Sequence, residues 1–261
     1  MERKPAQLLP QDVPSRFHPF LKDAAVYDSS CSNRARVWFL DRGDGFYLKT
    51  APKGTLSQES AMNAFFHKKG MGPEVLVYES LEQDWMLTCR VRGEDCTWQP
   101  YLDDPQRLCD LTGQLLRQLH ETDFAGCPIP DRTAIYLATA EENYRTGNYN
   151  KAHFPDNWGY ASAEDAWAVL SENSKYLRSD TLLHGDYCLP NIMLDNWQFS
   201  GFIDLDHAGV GDRHLDLFWG MWSLAFNLKT DRYRDRFLDA YGRDRINPEL
   251  FSVIAAAEVF G

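Results

Sequence analysis

Long apolar runs are missing from this chain. The longest, Phe218 to Phe226, falls well short of the roughly 20 residues a membrane span needs, so no membrane partner is expected. The first residues, Met1-Glu2-Arg3-Lys4-Pro5-Ala6-Gln7, lead into Gln, Asp and Pro and lack the apolar core of a signal peptide. The six cysteines (Cys31, Cys89, Cys96, Cys109, Cys127 and Cys188) are scattered, with no C-x-x-C pair. That spacing argues against a zinc site. Without an export signal it makes reduced thiols and a cytoplasmic location the expectation. Basic charge is scarce too: 27 Lys and Arg stand against 38 Asp and Glu, a net −11. A nucleic-acid binder would show a basic excess or stripe, so nucleic acid is not an expected partner. An acidic surface attracts cations, although the same charge is accounted for by solubility unless it clusters at a site. Internal repeats and low-complexity tracts are absent, which excludes a solenoid.

What remains is an ordinary globular composition, 44% hydrophobic and 25% charged over 261 residues, enough to bury a core. The first third reads mostly as strand. Val37 to Leu40 and Phe46 to Thr50 flank the Gly- and Asp-rich turn Asp41 to Gly45, a hairpin pattern. Ser57 to Lys69 reads as a helix with Met62, Phe65 and Phe66 on one face and Gly70 as its stop. Two further short strands are expected over Glu74 to Glu79 and Asp84 to Val91. The remainder is mostly helical. Asp104-Pro105 is a cap followed by a first-turn proline, and Leu108, Leu111, Leu115 and Leu119 recur at helical spacing. Asp235 to Tyr241 and Pro248 to Phe260 read as two more helices. A sheet-rich N-terminal part followed by a helical body is an α+β layout. The expected division is 1–88 for the first part and 89–261 for the second.

Chemistry concentrates in Leu183-His184-Gly185-Asp186-Tyr187-Cys188-Leu189-Pro190-Asn191. His-x-Asp followed by Asn five residues after the Asp is the spacing of a kinase catalytic loop. There the Asp accepts the proton of the substrate hydroxyl and the Asn binds Mg²⁺. By itself such a match is most often a polar surface loop. The short apolar run Ile192-Met193-Leu194, the turn Asp195 to Gln198 and the return strand Phe199 to Ile203 then bring Asp204 back beside Asn191. Two oxygen ligands suit a hard cation that takes its other ligands from phosphates and water; the plain alternative is an acidic hairpin. Lys49 sits on a strand and precedes a helix carrying Glu59, the arrangement by which kinases hold nucleotide phosphates. Singly, Lys49 reads as a solvated strand lysine. A thiol hydrolase built on Cys188 and His184 lacks an orienting third group.

The stretch from His184 to Met193, then Phe199-Ser200-Gly201-Phe202-Ile203-Asp204-Leu205, Ala208 to Arg213 and Asp216, resembles the aminoglycoside 3′-phosphotransferases. The resemblance implies a two-lobed protein-kinase-like fold with a β-rich N-lobe and a mostly helical C-lobe. It also implies transfer of the ATP γ-phosphate to an aminoglycoside 3′-hydroxyl, which inactivates the antibiotic. Carried over, it makes Asp186 the catalytic aspartate and Asn191 and Asp204 the Mg²⁺ ligands. Lys49 would bind the α/β-phosphates, oriented by Glu59. Tyr47 would stack on adenine, a role that competes with that of a packed strand tyrosine. Backbone groups of Cys89 and Val91 in the hinge Thr88-Cys89-Arg90-Val91 would meet the base. Ser30 to Asn33 would cover the phosphates, without a Gly-rich motif. The cationic substrate would meet carboxylates and amides: Asp156 and Asn157, then Glu258, with Glu164 and Asp165 reading better as first-turn helix acids.

The chain departs from that family at Asp206-His207, where Gly and Arg are usual, and at its end, Ala257-Glu258-Val259-Phe260-Gly261. These changes bear on the drug spectrum rather than on phosphoryl transfer. The alternatives are a kinase of another small metabolite (choline, homoserine or a sugar) and a catalytically silent nucleotide binder.

Overall fold

The computed structural model describes residues 3–31, 34–149 and 158–261. In chain order the elements begin β1 (Lys4–Pro5), α1 (His18–Leu21), β2 (Ala25–Asp28), β3 (Arg36–Asp41), β4 (Phe46–Pro52), α2 (Ser57–Lys68), β5 (Val75–Ser80), β6 (Gln83–Cys89) and β7 (Glu94–Asp95). They continue α3 (Gln99–Leu102), α4 (Pro105–His120), α5 (Arg132–Thr146), α6 (Ala163–Asn173), β8 (Thr181–Leu183), β9 (Ile192–Asp195), β10 (Gln198–Phe202), β11 (Gly209–Gly211), α7 (His214–Leu228), α8 (Arg234–Tyr241) and α9 (Leu250–Glu258). Among the described residues no helix is long and apolar enough to cross a membrane.

The chain divides into two compact units. The first takes residues up to Trp98 and adds Pro190–Asp206; the second takes Gln99–Leu189 and His207–Gly261. The break expected at residue 88 therefore falls later, and a stretch assigned to the second part returns to the first. The reason is pairing. Strand β9 lies between β10 and β7, with Glu94 opposite Leu194, so this three-stranded sheet stays with the N-terminal chain. Gly93 permits the approach: at φ +86°, a Cβ there would come within 2.0 Å of the Leu194 carbonyl oxygen.

In the first unit a six-stranded antiparallel sheet runs β1-β2-β3-β4-β6-β5. Alternation along the strands sorts its faces. Trp38, Leu40, Leu48, Trp85 and Leu87 point into a core closed by Val13 and Phe17 from the N-terminal segment. Phe39, Tyr47, Lys49 and Met86 therefore share the opposite face, with Phe39 opposite Tyr47 and Lys49 opposite Met86.

The second unit is mainly helical, as its leucine periodicity predicts. Leu108, Leu115, Leu116 and Leu119 of α4 are buried, and Asp104 caps the helix by accepting the Arg107 amide. Helices α5 and α7 were not individually legible, and α6 showed only its first-turn acids Glu164 and Asp165. Helix α5 buries only Thr133 and Ala140, and α7 is apolar on most sides, so neither shows a clean stripe.

Candidate active site

Strand β4 and helix α2 place the first elements. The Lys49 ammonium lies 3.0 and 2.8 Å from the two carboxylate oxygens of Glu59 and 3.1 Å from Asp204 Oδ1. Burial by itself would lower the lysine pKa; the two carboxylates outweigh it and raise the pKa, so the ammonium stays charged. Glu59 is buried. Its carboxyl is pushed up to about 7, first by desolvation, with Lys49 opposing and Asp204 and Asp206 adding to the rise. Asp204 is more open, its side chain 52% exposed against 18% for Lys49. Its backbone is left-handed, φ +61°, which aspartate tolerates at a cost of order 1 kcal/mol. The Ile203 amide donates to the Asn191 carbonyl at 3.0 Å, so the return of β10 sets Asp204 close along the chain to the partner of Asn191. Thus Lys49, Glu59 and Asp204 are brought into direct contact, and Asn191, buried, stands on the backbone bonded to the residue before Asp204.

Asn191 and Asp204 are hard oxygen donors. Among the described residues no group of three or more His, Cys, Asp or Glu could cage a metal. The pair suits Mg²⁺, which keeps phosphate and water ligands, and does not suit a protein-enclosed ion.

The other residues expected on the nucleotide side fall on the same unit. Tyr47 shares the Lys49 face, its ring 5.2 Å from Phe39, and its hydroxyl accepts from the Arg3 guanidinium at 3.0 Å. The Cys89 amide is committed to the Glu74 carbonyl at 2.9 Å and the Arg90 amide to the Gly45 carbonyl at 3.1 Å. The amide of Cys89 is therefore used by the sheet. Val91 packs where Gly201 lacks a side chain: a Cβ there would lie 3.0 Å from Val91 Cγ1. Ser30 Oγ accepts the Val37 amide at 2.9 Å, tying the loop between β2 and β3; Ser32 and Asn33 of that loop lie outside the described residues.

Asp186 follows β8 in the second unit. Its loop is built by backbone bonds to one buried carboxylate. Asp216, on α7, accepts the His184 amide at 2.8 Å and the Gly185 amide at 2.7 Å. Gly185 is required: at φ +83°, a Cβ would sit 1.9 Å from the His207 carbonyl oxygen. The loop closes with Cys188 N donating to Asp186 O at 2.8 Å and Leu189 N donating to Ser223 Oγ at 2.9 Å. Behind Asp216, His120 joins it at 3.2 Å and Tyr241 at 2.8 Å, its pKa lowered by burial. Sequence reasoning gave Asp216 no role and passed over His120. The available signal was a single aspartate in the otherwise uncharged stretch Leu215 to Leu224. Burial pushes the Cys188 thiol up and the nearby Asp186 charge pushes it further, the wrong direction for a nucleophile.

Of the substrate-side candidates, Asp156 and Asn157 lie outside the described residues. Ser162 caps α6 by accepting the Asp165 amide at 3.1 Å and donates to its carboxylate at 2.8 Å, so Asp165 is spent on the helix start. Glu258 is buried, unlike the open carboxylate expected of an ammonium ligand. Its Oε1 accepts from the Tyr136 hydroxyl at 2.8 Å and the Trp219 indole at 3.1 Å. Burial pushes its pKa up to about 7; those two bonds oppose the rise and the Asp186 charge adds to it. Helix α7 thus supplies both Asp216 under the Asp186 loop and Trp219 against Glu258. At the two departures noted in the sequence, the Asp206 carbonyl accepts from Gln58 at 2.6 Å and His207 pairs with Arg132.

Residues 23–251 match the pattern of the phosphotransferase enzyme family. The chain is 50% identical over 252 residues to a probable aminoglycoside 3′-phosphotransferase of Lactococcus lactis, covering 96% of both. It is 29% identical over 212 residues to an aminoglycoside 3′-phosphotransferase of Niallia circulans, covering 80% of both. Among solved structures, an aminoglycoside-3′-phosphotransferase of type VIII superposes with a TM-score of 0.73 at 23% identity, covering 90% of this chain and 94% of that one. An aminoglycoside phosphotransferase of Streptomyces rimosus, solved with ADP and streptomycin, superposes with a TM-score of 0.72 at 21% identity, covering 97% and 100%. The fold is protein-kinase-like, with an antiparallel sheet in the first unit and helices dominating the second.

Proposed function

Because the chain belongs to the aminoglycoside 3′-phosphotransferases of the phosphotransferase enzyme family, we propose that it transfers the γ-phosphoryl group of ATP to the 3′-hydroxyl of an aminoglycoside, an activity of antibiotic resistance. The observation that carries this reading is the Lys49 ammonium clasped by Glu59 and met by Asp204 on one side of the first unit's sheet. Phosphoryl transfer needs little covalent work from a protein; it needs fixed charge around the phosphates and a positioned acceptor. Lys49, held by Glu59, meets the α/β-phosphates. Tyr47 stacks on the base, and Cys89, whose amide is already used, offers its carbonyl while Val91 offers its amide. Ser30 lies in the loop over the phosphates. Asn191 and Asp204 are the residues that would hold Mg²⁺, which when bound neutralises charge on the β- and γ-phosphates. Asp186 orients the acceptor hydroxyl and takes its proton. Asp156 and Asn157 bind the ammonium groups of the substrate, a use for acidic charge in a chain of net −11, whereas Glu258 is held by Tyr136 and Trp219. The metabolite-kinase alternative is not favoured by the relatives. The test is transfer of label from γ-labelled ATP to an aminoglycoside, with the phosphorylated carbon assigned by NMR. Label at the 3′ position supports the reading; label only on choline, homoserine or a sugar rejects it.

A further inference from the structure

Helix α7 carries aromatic residues at Trp219, Trp222 and Phe226, spaced three and then four apart, so they share one face. Trp219 and Trp222 meet edge to face at 5.4 Å, and Trp222 and Phe226 are stacked at 5.0 Å with planes 10° apart. At the other end Trp158 packs 5.9 Å from Trp219. Trp222 is 41% exposed and Phe226 55% exposed. Single exposed aromatics need no explanation; a stacked pair continuous with a half-buried third is a different matter, because contiguous exposed apolar patches mark binding surfaces. The inner end of this stripe is fixed chemically. The Trp219 indole donates to Glu258, the carboxylate that feels the Asp186 charge. At the outer end the Lys229 ammonium already sits 4.2 Å from the centre of the Phe226 ring, presented by left-handed backbone at φ +57°.

We infer that the Trp219–Trp222–Phe226 stripe is a stacking platform for an aminated sugar ring of the substrate beyond the ring that is phosphorylated. This rests on the aminoglycoside reading above. An aminated sugar has apolar C–H faces that pack on aromatic rings and ammonium groups attracted to the ring faces. The platform presents exposed ring faces at Trp222 and Phe226 and ends where a cation already lies on an aromatic face, so it matches both halves of that chemistry. Lys229 holds the place of a substrate ammonium on Phe226 and must give way to it. Size selection follows: the platform contributes only when the substrate has a ring long enough in reach to lie on it.

The experiment compares wild type with Trp222→Leu, Phe226→Leu and the double variant, which remain apolar and alter only exposed side chains. Steady-state kinetics are measured with an aminoglycoside of three or more rings and with a two-ring aminoglycoside. The double variant is expected to raise KM for the larger substrate about tenfold, the scale of a lost cation–π or stacking contact. KM for the two-ring substrate, KM for ATP and kcat should stay within about twofold. Trp222→Phe should recover most of the loss. Equal KM values in wild type and the double variant, or equal losses on both substrates, would overturn the platform. So would sedimentation showing a wild-type dimer that the double variant abolishes, since the stripe would then be covered by a second copy. Failure of the functional reading itself would show in the wild type, as no turnover of either aminoglycoside.

Discussion

The Asp216 carboxylate accepts the Gly185 amide at 2.7 Å, and through that bond a buried charge on α7 fixes the residue immediately before Asp186. Its second oxygen takes the His184 amide at 2.8 Å. Asn at this position keeps one acceptor and turns an NH₂ group towards one of the two amide N–H donors. Asp216→Asn should therefore destabilise the protein by about 2–3 kcal/mol, the cost of unsatisfied buried groups. It should also lower kcat with little change in KM for ATP. Urea denaturation beside steady-state kinetics checks both; wild-type stability together with wild-type kcat would show that this bond does not hold the loop.

Asp186→Asn should remove nearly all turnover while nucleotide binding persists. Positioning and charge on the phosphates survive the change, so a small residual rate is expected. Calorimetric titration with ATP beside an ADP-release assay separates the two effects. A variant with near-wild-type kcat would reject Asp186 as the base.

Lys49 and Glu59 should behave as a coupled pair. Lys49→Met leaves Glu59 buried without its cation and should cost about 3 kcal/mol of stability. Adding Glu59→Gln removes the orphaned charge and should restore most of that loss, while ATP binding stays weak in both. A double variant that regains wild-type KM for ATP would show that the ammonium does not serve the phosphates.

How much of this was readable beforehand depended on distance along the chain. Lys49 and Glu59 lie on adjacent elements, strand then helix, and the hairpin from Ile192 to Phe202 announces the return of Asp204. Those links are local, so spacing and alternation carried them. The bond between Asp216 and Gly185 joins a helix to a loop 31 residues away, and no period in the sequence encodes it. The β9 strand could be seen, but not that it pairs with β7, which is what moves Pro190–Asp206 into the first unit. The resemblance offered Glu258 as a substrate ligand; its burial is set by Tyr136 and Trp219, on two separate elements brought together only by tertiary packing.

Glu258 also gives a pH signature. Its pKa in the folded state, about 7, lies above its ordinary 4.5, chiefly because burial disfavours the charged form. Folding therefore favours the protonated acid. The stability this provides is complete below about pH 4.5 and is lost as pH rises towards 7 and just beyond. Glu258→Gln stays neutral and keeps an oxygen for Tyr136 and Trp219. The variant should gain about 3 kcal/mol on wild type between pH 4.5 and pH 8, from a shift of that size at about 1.4 kcal/mol per pH unit. Parallel denaturation curves at the two pH values check it. A constant difference between variant and wild type across that window would mean that Glu258 titrates normally.

The most direct test of the whole account is ADP release by the purified protein with Mg²⁺, ATP and matched aminoglycosides that differ only in having or lacking the 3′-hydroxyl. The account predicts turnover with each 3′-hydroxylated member and none above the background ATPase rate with its 3′-deoxy counterpart. Equal turnover of both members of a pair, or none with any aminoglycoside, would contradict it.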